Sequence, residues 1–173
     1  MAGKYFLGID QGTTGTAALL FDEKWNNISM GYEKVKQFYP RPGWVEHDGE
    51  QIYETVLISV GQALKNANVN AKDIKCIGID NQGETVILWD KKTGKPIYPA
   101  IVWQDRRTAF ECDKINEDNT DFFYLRTGLK LDAYFGATKI SWVLKNVPRA
   151  IEMLRQNRLA AGSLDTWLIW KFR

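Results

Sequence analysis

Residues Gly8-Ile9-Asp10-Gln11-Gly12-Thr13-Thr14-Gly15-Thr16 constrain what this chain can fold into more than any other stretch. The apolar run from Tyr5 to Ile9 ends in an acid and a Gly/Thr-rich bend, and a second apolar run, Thr16 to Phe21, leads away from it. Two short apolar runs around such a bend predict a tight β-hairpin. The bend gathers a carboxylate, two hydroxyls and backbone N–H groups, and glycine lets a main chain approach an anion closely. Asp10 repels a phosphate directly, but it can orient a divalent cation, or water on that cation, that touches one. The reading is a nucleotide-phosphate hairpin, with Gly12, Thr13, Thr14 and Gly15 around the phosphates. As turn chemistry alone, the same residues serve an ordinary hairpin equally well.

The chain has 173 residues, enough for one domain with a real core and short for two. A net charge of +2, with Lys and Arg scattered, gives no field that argues for nucleic acid or an anionic membrane. Cys76 and Cys112 show no metal-ligand spacing, which suits a reduced compartment. Asp10 interrupts the only N-terminal apolar run, so no signal peptide is read, and no apolar stretch approaches membrane-spanning length. A soluble cytoplasmic domain is expected, with no nucleic-acid or membrane partner.

Further along, three strands are predicted over 5–10, 16–22 and 28–35, the last with Ile28, Met30 and Tyr32 alternating against Ser29, Gly31 and Glu33. Tyr39-Pro40-Arg41-Pro42-Gly43 reads as a loop. Asp48 is placed as a helix N-cap with Gln51 completing a capping box, followed by a buried stripe of Ile52, Tyr53, Val56, Val60, Ala63 and Leu64. A strand over Ile74–Ile79 then ends at Asp80, so Gly78-Ile79-Asp80 echoes Gly8-Ile9-Asp10. Ligands collect beyond the carboxyl ends of strands in open parallel sheets, and the echo is read as shared strand-end chemistry. Strand, strand, strand, helix, strand opens a ribonuclease-H-like, actin-like ATPase α/β fold, a mixed sheet flanked by helices with this helix as the crossover. The second half reads as a pair of strands over 85–89 and 97–102, helices over 106–115, 138–147 and 148–158, and a last helix capped by Asp165 that runs through Trp170. One compact piece over 1–173 is expected.

The chain closely resembles the N-terminal part of sugar and polyol kinases of the glycerol kinase type. The resemblance rests on ordered blocks that span nearly the whole chain. They are Asp10-Gln11-Gly12-Thr13-Thr14, Pro42-Gly43-Trp44-Val45-Glu46-His47-Asp48, Asn81-Gln82 and Glu84-Thr85. Gly94-Lys95-Pro96-Ile97-Tyr98, Ile101-Val102-Trp103-Gln104 with Arg106-Arg107-Thr108, and Asp165-Thr166-Trp167-Leu168-Ile169-Trp170 complete the set. The resemblance implies a kinase of two actin-like domains around a cleft, of which this chain is the N-terminal part of the first, substrate-binding domain. Such enzymes pass the γ-phosphate of ATP to a primary hydroxyl, using Mg²⁺. By resemblance, Asp10 holds the metal through water, Thr13 and Thr14 contact the terminal phosphates, and Glu84, Trp103 and Tyr134 hold the polyol. A carboxylate and a phenol can each bond a hydroxyl, and an indole face covers carbon.

Outside that motif context, Glu84 reads as a surface charge, and Trp103 and Tyr134 as core or rim aromatics. His47, the only histidine, reads as a structural hydrogen-bonder, and Arg106-Arg107 as solvated or ion-paired. Glycerol kinases usually carry an arginine where Gly83 stands, a polar residue at Gly15 and an arginine at Ala17. Gly83 therefore points to a polyol larger than glycerol, or to weak glycerol binding. A tetritol, pentitol or ketose kinase, a non-catalytic sugar-binding regulator and an actin-like assembly module remain open as alternatives. The resemblance also implies a longer chain that supplies the general base and a second domain. By itself this polypeptide is expected to be inactive and, with apolar surface unpaired, prone to homo-oligomerise.

Overall fold

The computed structural model describes residues 4–118 and 121–172. These residues form two compact units: 4–37 with 48–82, and 38–47 with 83–118 and 121–172. One compact piece over 1–173 is the expectation from sequence, whereas the packing divides the described residues in two. The end of the 38–47 segment belongs to the second unit because its main chain is bonded there. Val45 donates its amide to Asp105 Oδ2 at 2.7 Å and accepts from the Val102 amide at 3.1 Å.

The first unit contains β1 (Tyr5–Gln11), β2 (Gly15–Phe21) and β3 (Asn27–Lys34). After the two-residue strands β4 (Gln37–Phe38) and β5 (Glu46–His47) come α1 (Gly49–Ala67) and β6 (Ile74–Asn81). Its sheet runs β3-β2-β1-β6, with β1 antiparallel to β2 and parallel to β6. The two Gly-Ile-Asp strand ends lie side by side, Gly8 opposite Gly78, Ile9 opposite Ile79 and Asp10 opposite Asp80. Leu7, Ile9, Ala18 and Leu20 are buried together with Ile52, Val56 and Ala63 of α1.

Three details of the expected pattern differ. Along β3 the alternation holds but the faces are reversed: Met30 and Tyr32 are exposed and Gly31 is buried. The cause is the close approach of α1, since a Cβ at Gly31 would stand 2.0 Å from the Ser59 carbonyl. Asp48 caps α1 by accepting from the Glu50 and Gln51 amides, yet Gln51 does not close the capping box. Its side-chain oxygen accepts from the Lys36 amide instead, at 3.0 Å. On the helix, Tyr53, Val60 and Leu64 are half-buried, while Thr55 and Ser59 are fully buried. Thr55 is tolerated there because its hydroxyl lies 2.8 Å from that of Thr16.

The second unit holds the sheet β4-β5-β8-β7-β9, in which β7 spans Val86–Asp90, β8 Ala100–Ile101 and β9 Leu159–Ser163. Its helices are α2 (Ala109–Asp118), α3 (Phe122–Thr127), α4 (Gly136–Asn146), α5 (Pro148–Arg155) and α6 (Leu164–Lys171). The expected pair of strands over 85–102 forms, with Val86 opposite Ile101 and a bridge between Trp89 and Pro96. Val86, Leu88 and Ile101 of this sheet, with Ile97 of the connecting loop, form one buried cluster with Val143 of α4, Val147 between the helices, and Ala150 and Met153 of α5. Helix α2 starts three residues later than expected; ahead of it the Arg106 amide donates to the Gly43 carbonyl and the Arg107 amide to Asp105 Oδ1. Helix α6 has Ser163 rather than Asp165 at its N-cap position, and the Ser163 side chain makes no capping hydrogen bond.

The two arginines of the Arg106-Arg107-Thr108 block are both ion-paired, in different settings. Arg106 bonds Asp132 near the surface, whereas the Arg107 side chain is completely buried. Arg107 forks onto both carboxylate oxygens of Asp105, reaches Glu46 at 2.8 Å, and lies between the rings of Trp44 and Trp142 at 3.9 and 4.6 Å. His47 is fully buried in β5, and that burial lowers its pKa to about 4. No helix among the described residues is long and apolar enough to cross a membrane.

Gly31→Ala is expected to destabilise the protein by about 1–3 kcal/mol or more, the range for forcing extra atoms into a packed contact. Gly61→Ala, at a helix position with nothing within 4 Å of the new methyl, should instead add about 0.5–1 kcal/mol. Urea unfolding of the three proteins checks both signs.

Candidate functional site

In the first unit the hairpin bend is held from below by two glutamines. Gln11, fully buried, donates its side-chain amide to the Gly12 carbonyl at 2.8 Å. Gln82 donates its main-chain amide to the Gln11 carbonyl at 2.8 Å and its side-chain amide to Gln11 Oε1 at 3.1 Å. The bend closes with the Gly12 amide on the Gly15 carbonyl at 2.9 Å, leaving Thr13 and Thr14 at the tip. The carbonyls at the tip are used: Thr13 accepts from the Gln37 side chain at 3.2 Å and Thr14 from the Val35 amide at 3.0 Å. Thr14 is exposed, and among the described residues its hydroxyl and amide meet no protein partner.

Gly15 lies against the Tyr32 side chain. A Cβ there would stand 2.2 Å from the Tyr32 hydroxyl. A side chain at position 15 therefore needs the exposed Tyr32 ring to swing aside.

Asp10 is exposed at the carboxyl end of β1, and among the described residues its carboxylate takes no hydrogen bond and no ion pair. Its strand neighbours are Ala17 on one side and Asp80 on the other. Asp10 and Asp80 line a depression of about 420 Å³ floored by Gly8, Gly78, Leu19 and Phe21. Two carboxylates one strand spacing apart, facing open solvent, are suitable donors for Mg²⁺, which binds through one or two carboxylates and keeps several waters. No group of three or more His, Cys, Asp or Glu among the described residues forms a closed metal cage.

The second unit brings Glu84, Trp103 and Tyr134 together. Glu84 has a left-handed backbone, φ 61°, a conformation that costs a non-glycine residue about 1–3 kcal/mol. Its Oε2 accepts from the Gly136 amide in the first turn of α4 at 3.2 Å. Trp103 is placed by its amide, which donates to the buried Thr85 hydroxyl at 3.1 Å. The Trp103 and Tyr134 rings meet edge to face at 6.0 Å. The Tyr134 amide donates to Asp132 Oδ1 at 2.7 Å, and the same oxygen receives Arg106 at 2.7 Å. Burial acts to raise the Asp132 pKa, but these bonds outweigh it and hold the carboxyl below its usual value. Gly83 is exposed, and a Cβ added there meets nothing within 4 Å.

Sequence reasoning missed Lys139. Its side chain is fully buried, and its ammonium donates to the Glu84 carbonyl at 2.9 Å and the Tyr134 carbonyl at 2.7 Å. Burial lowers its pKa to about 8 against the opposing pull of Asp105, Glu84 and Asp132. The signal was present: Lys139 stands four residues before the buried Val143, on the core stripe of a predicted helix, where a lysine is rarely found without a specific reason.

Residues 5–173 match the FGGY family of carbohydrate kinases, N-terminal domain. The chain is 52% identical over 170 residues to a glycerol kinase of Rhizobium rhizogenes, covering 98% of this chain and 34% of that one. It is 50% identical over 173 residues to a glycerol kinase of Paraburkholderia phytofirmans, covering 99% and 35%. Among solved structures, Plasmodium falciparum glycerol kinase with ADP superposes with a TM-score of 0.87 at 34% identity, over 98% of this chain and 34% of that one. A xylulose kinase from Brucella ovis superposes with a TM-score of 0.80 at 27% identity, over 95% and 33%. The α/β fold is thus that of the actin-like ATPases. The chain spans about a third of the length of the curated relatives it matches.

Because the Asp10 carboxylate bonds nothing in the fold, Asp10→Asn is expected to change unfolding free energy by less than about 0.5 kcal/mol. Denaturant titration of the two proteins checks this, and a larger loss would mean that the carboxylate has a structural partner.

Proposed function

We propose that this chain, which belongs to the FGGY family of carbohydrate kinases, is the N-terminal part of the substrate-binding domain of an ATP-dependent kinase acting on a primary hydroxyl of glycerol or a related polyol. The observation that carries the reading is the state of Asp10: an exposed, unbonded carboxylate at a strand's carboxyl end, beside Asp80 and ahead of a Gly/Thr bend. Such a carboxylate has no work in the fold and is available for a ligand. The names of the relatives support glycerol as the acceptor.

Each residue then has a role that its surroundings suit. Asp10 holds a water of the metal, and Asp80 adds a second carboxylate in register. Gly12, Thr13, Thr14 and Gly15 form the bend that receives the terminal phosphates of ATP. When bound, Mg²⁺ neutralises charge on the transferring phosphoryl group, which is most of what phosphoryl transfer requires. Glu84 accepts a hydrogen bond from an acceptor hydroxyl, Tyr134 offers a phenol to another, and the Trp103 indole covers the carbon chain.

Gly83 favours an acceptor longer than glycerol, because it leaves open space beside Glu84 and supplies no side-chain donor. In the intact kinase, kcat/KM measured with glycerol, tetritols and pentitols decides the acceptor, and glycerol ahead of every longer polyol ends that preference. Gly83→Arg should then shift the ratio toward glycerol by about tenfold, the equivalent of one charge-assisted bond. Asp10→Ala should lower kcat by about a hundredfold or more, since phosphate positioning fails without it. Polyol-dependent thermal stabilisation without turnover would instead identify a sugar-binding regulator.

The 173-residue polypeptide on its own is expected to give no ATP-dependent phosphorylation in a coupled assay, because it spans about a third of the length of the kinases it matches and the base is assigned to another part of the kinase. Turnover by that polypeptide would overturn the assignment of the base to another part of the kinase.

A further inference from the structure

Lysine is seldom fully buried unless paired, because removing an ammonium from water is costly. Lys139 is fully buried, yet among the described residues no carboxylate lies within ion-pair distance of it. Its two acceptors are main-chain carbonyls, and they belong to Glu84 and Tyr134, which lie 50 residues apart in sequence. Methionine or leucine would fill the same space without the desolvation cost, so core packing alone does not account for a lysine here.

The two carbonyls come from main chain that needs holding. The left-handed backbone of Glu84 is strained and persists only where its surroundings fix it. Glu84 is bonded at two points, the carboxylate by the Gly136 amide and the carbonyl by Lys139, and both donors belong to α4. Tyr134 is likewise held on both sides of its Cα, its amide by Asp132 and its carbonyl by Lys139. With those main chains fixed, the Glu84 carboxylate and the Tyr134 ring against Trp103 have little freedom left.

We infer that Lys139 is a positioning residue: its ammonium staples the main chains of Glu84 and Tyr134 to α4 and so sets the two side chains that grip the acceptor polyol. The inference rests on the polyol-kinase reading for the identity of the ligand. It assigns Lys139 to acceptor affinity and leaves nucleotide affinity alone, since the Asp10 hairpin belongs to the other unit. Charge matters to the staple, because hydrogen bonds from an ionised donor are about twice as strong as neutral ones. The charged and titratable groups around it are Asp105, Glu84 and Asp132, which favour the ammonium, and Arg107, which with burial disfavours it. Its pKa near 8 means the charge is complete below that pH and lost as pH rises through it.

The test uses the intact kinase with Lys139→Met. The acceptor KM, and the acceptor Kd read by calorimetry without turnover, are expected to rise about tenfold while the KM for ATP stays within about twofold. In the wild type the acceptor Kd should also weaken as pH rises past about 8, and in Lys139→Met that limb should be absent. A variant with wild-type acceptor affinity overturns the staple while leaving the kinase reading intact. Should the variant fail to fold, the wild-type profile decides: an acceptor Kd that is flat between about pH 6.5 and 9.5 overturns the proposal. A wild-type protein that binds no polyol at any pH overturns both readings.

Discussion

The first unit depends on one strand having neighbours of opposite sense. Strand β1 is joined to β2 by the three-residue bend Gly12-Thr13-Thr14, which needs only local chemistry, and to the parallel β6 through α1, which must cross over a sheet face. That crossover decides which side of β1 is dry. Leu7, Ile9 and Gln11 are buried while Gly8 and Asp10 face the other way, because strand residues alternate between faces. A slip of one residue in register would put Asp10 under the helix, where a carboxylate without a partner is prohibitively costly. The exposure of Asp10 is therefore a product of hydrophobic burial two atoms of main chain away.

The second unit handles two buried cations in opposite ways. Arg107 is matched by carboxylates, forked onto Asp105 and bonded to Glu46 between two tryptophan rings. Burial works against its charge, and the bonds to Asp105 and Glu46 more than offset it, so its pKa is raised. This cluster gives an architectural reason for Trp44 and Glu46 in one sequence block and Arg107 in another: together they fasten the 38–47 segment beside β8. Lys139 is matched only by carbonyls, and its charge is the less secure of the two. A fully matched charge suits a scaffold, whereas a charge titrating near neutrality suits a site whose grip has to be set finely.

Much of the fold is legible from periodicity. The hairpin, the α1 crossover and β6 are read directly, since strong local patterns and a capping aspartate agree with the final packing. Where reading fails, a tertiary contact has overridden a local rule. Apolar alternation along β3 puts Met30 and Tyr32 inward, yet the close approach of α1 at Gly31 turns them outward. Strand β9, Leu159–Ser163, is rich in small residues and carries no β-branched signal, and only pairing with β7 makes it a strand. Asp165 looks like a cap, but the chain turns into α6 two residues earlier, at Ser163.

The sequence by itself determined the chemistry available: a carboxylate before a Gly/Thr bend, a second Gly-Ile-Asp end, and an ordered set of blocks carrying Glu84, Trp103 and Tyr134. Residue order and type suffice for that, because turns, caps and strand ends are local. Which groups meet was decided only by the tertiary structure. Asp10 stands beside Asp80 because of a parallel register across a 19-residue helix, and Glu84 joins Tyr134 through a lysine whose two carbonyl partners no local pattern specifies. Those meetings depend on the desolvation and packing of atoms far apart in sequence, and free energies of that kind are summed only once the chain has closed on itself.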